Sequence, residues 1–290
     1  MKKRVFSGIQ PTGILHIGNY LGAIKNWISL IDDHDCIFCI VDLHAITVPY
    51  EPAGMQARIF DAAVGYMACG VDPAKCAIFV QSDVPEHVEL TWYLNTVIPV
   101  AYLERMTQYK DKSAQFHEHI SMGLLGYPVL QAADILLYKA EIVPVGEDQS
   151  QHLELTRDVA RKFNNLYGET FPEPKTLMGK AARVAGLDGQ AKMSKTLDNY
   201  IAITEAPEDI WRKLSTAVTD PARKRRTDPG NPDVCNIYAL HGFFSPEAQQ
   251  AEAAAGCRSA GIGCLYCKKI LSGNISRELA PIRARCEELK

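Results

Sequence analysis

The first half of this chain alternates short apolar runs with longer stretches of helical spacing, and that alternation restricts the fold more than any other feature. Candidate strands lie at 4–7, 36–41, 77–81 and 141–145, each followed by turn or loop residues. Between the first two, Leu21, Ile24, Ile28 and Ile31 recur at helical spacing. Between the next two, Met55, Ile59, Ala62, Ala63, Tyr66 and Met67 do the same. Strand, helix, strand, helix predicts an α/β fold, a Rossmann-like parallel sheet with helices on both faces. Ligands of such sheets bind beyond the carboxyl ends of the strands, so the loops at 8–18, 42–47 and 146–149 are expected to converge.

After Asn199 the pattern turns mostly helical. It opens with a candidate last strand at 200–204 and is interrupted by a Pro/Gly-rich loop at 220–232 that carries Arg223-Lys224-Arg225-Arg226. The expected division is a catalytic domain over 1–199 and a helical domain over 200–290. A chain of 290 residues, 47% hydrophobic, is long enough for both. A net charge of -3 argues against a generally basic nucleic-acid coat protein and leaves room for a local basic patch. No apolar run approaches the roughly 18 residues of a membrane span, and no signal-peptide core follows Met1-Lys2-Lys3-Arg4. A cytoplasmic protein is expected. The last residues, Glu287-Glu288-Leu289-Lys290, still read as helix with no stop signal, which suggests a shortened C-terminus.

Two segments far apart in sequence carry the chemistry. Pro11-Thr12-Gly13-Ile14-Leu15-His16-Ile17-Gly18-Asn19 is a Gly-rich turn feeding a helix N-terminus, where orphan N–H groups suit a phosphate. His16 and Asn19 add hydrogen bonds. Lys192-Met193-Ser194-Lys195-Thr196 lies in a Gly- and Lys-rich loop with two ammonium groups spaced i, i+3, which suits a departing pyrophosphate. Together they point to opening of the α-phosphate of ATP, with charge stabilised by lysines, backbone amides and Mg²⁺.

With these two segments, Phe6-Ser7-Gly8-Ile9-Gln10, Tyr127-Pro128-Val129-Leu130-Gln131-Ala132-Ala133-Asp134, Val143-Pro144-Val145-Gly146-Glu147-Asp148-Gln149 and Gln151-His152-Leu153-Glu154-Leu155-Thr156-Arg157-Asp158 resemble class I aminoacyl-tRNA synthetases. Within that class the likeness is to bacterial tryptophanyl-tRNA synthetases, dense over about 3–240. The resemblance implies a homodimer that activates L-tryptophan with ATP and passes it to tRNA(Trp). It implies that Gln10, Pro11, Thr12, Gly18 and Asn19 hold ATP and that His16 contacts its phosphates. Gly146, Glu147, Asp148 and Gln149 would lie beside the ribose and the substrate amino group, and Val184 beside adenine. Lys192, Met193, Ser194, Lys195 and Thr196 would close over pyrophosphate, with Lys112 reaching it from the other side. Thr12, His16, Lys112, Lys192 and Lys195 are the implied catalytic residues. Thr196 replaces the usual serine and keeps the hydroxyl. A tyrosine-specific relative, or a non-catalytic relative that binds tryptophan or RNA, is the alternative.

Asp134 carries the choice of amino acid. Its neighbours Leu130, Ile135 and Leu137 are apolar, so a polar stripe on a buried helix is expected. Indole has one hydrogen-bond donor, for which a carboxylate is a natural acceptor. The resemblance implies that Asp134 accepts it; from the residues alone a helix-surface carboxylate or an ion pair is the alternative. The resemblance places Phe6, Gly8, His44, Tyr127 and Gln149 around the ring and the amino acid, and Gln131 where many relatives have methionine.

Nine cysteines complete the reading. Cys36 and Cys39 form C-x-x-C within a strand-like run, where alternating directions send the thiols to opposite faces. Cys235, Cys257, Cys264 and Cys267 are different: this order, ending in C-x-x-C, can place four thiolates on one centre. Zinc and an iron–sulfur cluster both accept four cysteines. Spacing leaves that choice open, while the resemblance implies a [4Fe–4S] cluster, with zinc as the alternative. Cys286 falls outside the pattern. The Arg223-Lys224-Arg225-Arg226 run is a solvated loop or a contact for the tRNA backbone.

Overall fold

Five parallel strands form one sheet, in the order β3-β2-β1-β4-β5, in a computed structural model that describes residues 2–178, 184–195 and 197–290. They are β1 (Arg4–Ile9), β2 (Asp35–Ile40), β3 (Ala77–Val80), β4 (Ile142–Val145) and β5 (Lys175–Met178). β1 pairs with β2 in a register that sets Phe6 opposite Ile37 and Gly8 opposite Cys39, and it pairs with β4 on its other side. The chain winds outward from β1 to β3, then returns to start again at β4. The reversal falls between β1 and β4, the place where parallel sheets open a crevice for ligands. Gly8 is required there: a Cβ would sit 2.8 Å from both the Cys39 carbonyl oxygen and Val41 Cγ1.

The four expected strands are present, and the predicted Rossmann-like α/β class with a helical C-terminal region holds. β5 escaped notice because four residues, Lys175-Thr176-Leu177-Met178, carry too little alternation to stand out beside Pro172 and Pro174. The candidate strand at 200–204 is not one. Its buried residues Ile201 and Ile203 are held instead by the segment before the first helix. The Ile17 N–H donates to the Ile201 carbonyl at 2.9 Å, and the Ile203 N–H donates to Leu15 at 3.0 Å. One antiparallel bridge, His16 to Ala202, is all the sheet-like structure this makes.

By contacts the chain forms two compact units, one of 1–13, 25–63 and 70–180, the other of 14–24, 64–69 and 181–290. The first contains the sheet and the Met122–Leu137 helix. Ala132, Ala133 and Leu136 of that helix pack with Leu155, Val159 and Ala160 of the Ser150–Tyr167 helix in one apolar cluster. Phe6, Cys39, Ile135, Val143 and Leu153 form another under the sheet. Cys36 and Cys39 are both buried in β2, and burial pushes the Cys36 thiol up to about 11, so it stays protonated. The second unit is built on the long Cys264–Leu289 helix, whose Leu271, Ile275, Leu279 and Ile282 make one buried stripe. That helix packs against the Pro207–Thr216 and Asn236–Phe244 helices. Among the described residues no helix is long and apolar enough to cross a membrane.

Candidate active site and cysteine cavity

Asp134 is 1% exposed, and three donors reach its carboxylate. Gln81 Nε2 and His87 Nδ1 donate to Oδ1 at 2.7 and 2.6 Å, and His44 Nε2 lies 2.7 Å from Oδ2. Burial pushes this carboxyl up, but His44 and His87 outweigh it and hold it below the usual range, so it is ionised at neutral pH. The partners are fixed in turn. Gln81 Oε1 accepts the Leu43 N–H at 3.1 Å, which settles the direction of its amide. His87 Nε2 meets the Tyr138 hydroxyl at 2.9 Å, and Tyr138 stacks on Phe6 with ring centres 5.6 Å apart. The solvated helix-surface carboxylate that the sequence alone would allow is therefore excluded.

The other expected tryptophan residues belong to the same unit. His44 meets the Tyr127 ring edge-on at 6.3 Å. The Tyr127 hydroxyl lies 3.1 Å from His152 Nε2, and Lys112 Nζ sits 4.5 Å above the Tyr127 ring. Burial holds the Lys112 ammonium below the ordinary lysine range. Gln131 Nε2 donates to Gln149 Oε1 at 3.4 Å, so the amide that replaces methionine turns to a second expected substrate residue. Gln149 also donates to Asp148 Oδ2 at 3.0 Å and follows Gly146 in the turn after β4. The side chain of Glu147 lies outside the described residues. Gln10, Pro11 and Thr12 follow the carboxyl end of β1, with Thr12 exposed.

In the second unit residues 14–19 of the first segment expected to bind ATP meet the lysine loop. A Cβ on Gly18 would lie 3.5 Å from Met193 Cβ, and the charge of Lys192 reaches His16. Burial first, then Lys192, lowers the His16 imidazole to about 4, so it is neutral at pH 7. Asn19 Oδ1 accepts the His16 N–H at 3.1 Å, which pins the turn into the helix. Met193 is 2% exposed while Lys192 and Lys195 face solvent, so the methionine anchors the loop and leaves both ammonium groups in water. The Met193 N–H donates to Val184 at 3.2 Å. Thr196 lies outside the described residues.

Sequence reasoning missed the side chains that hold this loop. Asn199 Oδ1 accepts the Ser194 N–H at 2.8 Å, and its Nδ2 donates to Asp188 Oδ2 at 2.7 Å. Asn199 packs so closely on Gly186 that no Cβ fits there. It also missed Gln81, His87 and Tyr138. The first two follow β3, at a strand end where the sheet rule would have pointed.

Cys235, Cys257, Cys264 and Cys267 line one cavity, with Arg223, Thr219, Ile237, Tyr238, Ala253 and Ile262 completing its wall. No group of three or more His, Cys, Asp or Glu among the described residues is arranged to hold a metal ion. Burial pushes the Cys267 thiol up to about 12, and the neighbouring cysteines add to it. Arg223 works against this: its guanidinium lies 3.7 Å from Cys257 Sγ, and its Nε is buried with no protein partner. The same side chain donates to the Ile262 carbonyl at 2.7 Å, and Arg226 donates to those of Ala260 and Gly261 at 2.6 and 3.0 Å. Two members of the basic run thus tie down the cysteine loop, Arg226 from an exposed position. Lys224 and Arg225 remain exposed. Cys286 is buried on the last helix, away from this set.

Comparison with known proteins agrees with this geometry. Residues 1–280 match the family model of class I tRNA synthetases for tryptophan and tyrosine (W and Y). A tryptophan–tRNA ligase of Deinococcus radiodurans is 57% identical, over 99% of this chain and 88% of that protein. The tryptophanyl-tRNA synthetase of Campylobacter jejuni, solved with ADP and tryptophan, superposes with a TM-score of 0.88 at 38% identity, over 99% of this chain and 89% of that one. A tyrosyl-tRNA synthetase of Archaeoglobus fulgidus, covering 98% of this chain and 90% of its own, reaches 0.77 at 19% identity, a likeness of fold alone. With its match running over residues 1–280, this chain belongs to the class I tRNA synthetases of the tryptophan and tyrosine type.

Proposed function

We propose the following account of how this chain acts as a tryptophan–tRNA ligase. The substrate carboxylate attacks the α-phosphorus of ATP, a new P–O bond forms, and the bond to pyrophosphate breaks. Tryptophanyl-adenylate then gives its acyl group to tRNA(Trp). No protein nucleophile is needed. Lys192 and Lys195 meet charge that builds on pyrophosphate, and a neutral His16 donates to phosphate oxygens without adding a cation. Gln10, Pro11, Thr12, Gly18, Asn19, Gly146, Asp148 and Val184 hold the nucleotide. Mg²⁺ would neutralise phosphate charge when bound. Phe6, Gly8, His44, Tyr127, Gln131 and Gln149 receive tryptophan, and Asp134 accepts its indole N–H. The observation that carries this reading is the buried Asp134 carboxylate with Gln81, His87 and His44 against it. Residues 1–199 act as the catalytic domain and 200–290 as the anticodon-side domain of a cytoplasmic protein.

The cysteine cavity is assigned a [4Fe–4S] cluster held by Cys235, Cys257, Cys264 and Cys267. Four thiols around one cavity support a shared four-thiolate centre, with zinc as the alternative to the cluster that the resemblance implies. The buried Arg223 Nε and its guanidinium beside Cys257 suit the net negative charge of four thiolates. The cluster would order the helical region rather than turn over electrons. A homodimer is assigned from the resemblance, supported by Val88, Trp92 and Tyr93, exposed by 54, 71 and 53% along the Glu86–Asn95 helix.

Amino-acid-dependent ATP–pyrophosphate exchange tests the activity. Exchange is expected with tryptophan and not with tyrosine. Exchange with tyrosine alone would move the chain to the other half of its family, and none with either would make it a non-catalytic member.

A further inference from the structure

An ionised carboxylate offers about four lone-pair sites, two on each oxygen. At Asp134 the two sites of Oδ1 are taken by Gln81 Nε2 at 2.7 Å and His87 Nδ1 at 2.6 Å. His44 Nε2, at 2.7 Å, takes one site of Oδ2. Among the described residues no further donor reaches it, so one acceptor remains, on Oδ2. Indole carries one donor, so the count matches the substrate that the proposed function places there.

The saturated oxygen is also the braced one. Gln81 cannot turn its amide, because Oε1 already accepts the Leu43 N–H at 3.1 Å. An ionised Asp134 only accepts, so His87 Nδ1 must carry hydrogen. His87 Nε2 and the Tyr138 hydroxyl, 2.9 Å apart, then share a second hydrogen bond that stops the ring from turning. His87 and Gln81 are both 0% exposed, so water does not compete for these bonds. Tyr138 is itself set by stacking on Phe6 at an interplanar angle of 10°. The chain Phe6, Tyr138, His87, Asp134 therefore runs from the sheet to the carboxylate.

We infer that His87 is the positioning residue of amino-acid selection: with Gln81 it saturates Asp134 Oδ1, fixes the carboxylate's rotation, and leaves a single acceptor for one indole N–H. Without it, Asp134 turns, Oδ1 regains a free lone pair, and the carboxylate no longer aims one acceptor at one donor. A site built around one hydrogen bond rejects a substrate lacking the donor far better than an apolar pocket does. His87 contributes to that rejection without touching the substrate. This inference rests on the reading of Asp134 as the indole acceptor.

The test compares tryptophan with its benzothiophene isostere, which has sulfur in place of the N–H. The quantity read is the ratio of their kcat/KM values in ATP–pyrophosphate exchange. The wild-type ratio is expected to be about 100-fold or more. His87→Leu is expected to lower it at least about tenfold while the KM for ATP stays the same. His87→Asn can put an amide N–H near the place of Nδ1–H and is expected to keep most of the ratio. Tyr138→Phe, which removes one hydroxyl, is expected to cost a few-fold, and it keeps the inference testable if His87→Leu fails to fold. Unchanged ratios in folded His87→Leu and Tyr138→Phe overturn the inference. A wild-type ratio near one overturns the Asp134 reading beneath it, a failure distinguishable from the first.

Discussion

The Asp134 pocket and the cysteine cavity are both buried clusters of polar groups, and they solve the problem of burial in opposite ways. Around Asp134 the donors are all met and one acceptor of Oδ2 is left over: Gln81, His87 and His44 reach the carboxylate, and Leu43 and Tyr138 hold two of those three. Around the cysteines they are not. Four thiols share a cavity wall, and the nearby Arg223 Nε is buried with no protein partner. Buried polar networks that are fully connected are rigid before a ligand arrives, whereas half-connected ones are costly until something completes them. The contrast fits the proposed roles, a recognition site built by folding and a structural site that a metal centre would complete.

The largest effect that could break this comparison is expected at the cysteines. Cys264→Ser with Cys267→Ser should lose the roughly four irons per chain of a [4Fe–4S] centre. It should also lower the unfolding temperature, with iron analysis and calorimetry as the measurements. Tryptophan binding that survives in that protein supports the contrast. Next comes Asp134→Ala, which removes the acceptor and strands the donors of Gln81, His87 and His44. Because a hydrogen bond to a charged group contributes about 1.5–3 kcal/mol, kcat/KM for tryptophan should fall by about 100-fold. Arg223→Met removes the guanidinium beside Cys257 and leaves the thiols in place. A few-fold faster loss of iron to a chelator is the expected result, and an unchanged rate would separate Arg223 from the centre.

The smallest effect is the dependence of stability on pH. His16 and His152 are both lowered to about 4 by burial, aided by Lys192 and Lys112 respectively. Above about 6.5, the ordinary histidine value, both are neutral whether the chain is folded or not. As the pH falls from there toward 4, the unfolded chain takes up protons that the folded one refuses, so stability declines across that window. His152→Gln should flatten the decline in chemical unfolding measured between pH 7 and 4. An identical slope would mean that His152 is not held neutral.

How far the sequence led depended on how local each signal was. Strands such as Asp35–Ile40 announced themselves because a buried parallel strand is a continuous apolar run. Lys175–Met178 did not, being four residues with one charge. The residues at 200–204 carried the composition of a strand but met the 15–17 segment instead of the sheet, a long-range choice that no local pattern encodes. The lysine loop was legible, yet Asp188 and Asn199, which hold its shape, looked like ordinary loop residues. Asp134 stood out as one acid among apolar neighbours. Its partners Gln81 and His87 lie 53 and 47 residues away in sequence, and only the fold brings them to it. The basic run was legible in part: Lys224, Arg225 and Arg226 are exposed as a solvated loop would be. The bonds of Arg223 and Arg226 to carbonyls more than thirty residues on are long-range choices that no local pattern encodes.

The most direct test of the account is a single exchange experiment on Asp134→Ala beside the wild-type protein, with tryptophan and ATP varied in turn. If Asp134 selects the amino acid, kcat/KM for tryptophan drops by about 100-fold and the KM for ATP is unchanged within about twofold. Equal losses toward tryptophan and ATP in a folded variant would contradict it, and would place Asp134 among the residues that only hold the fold.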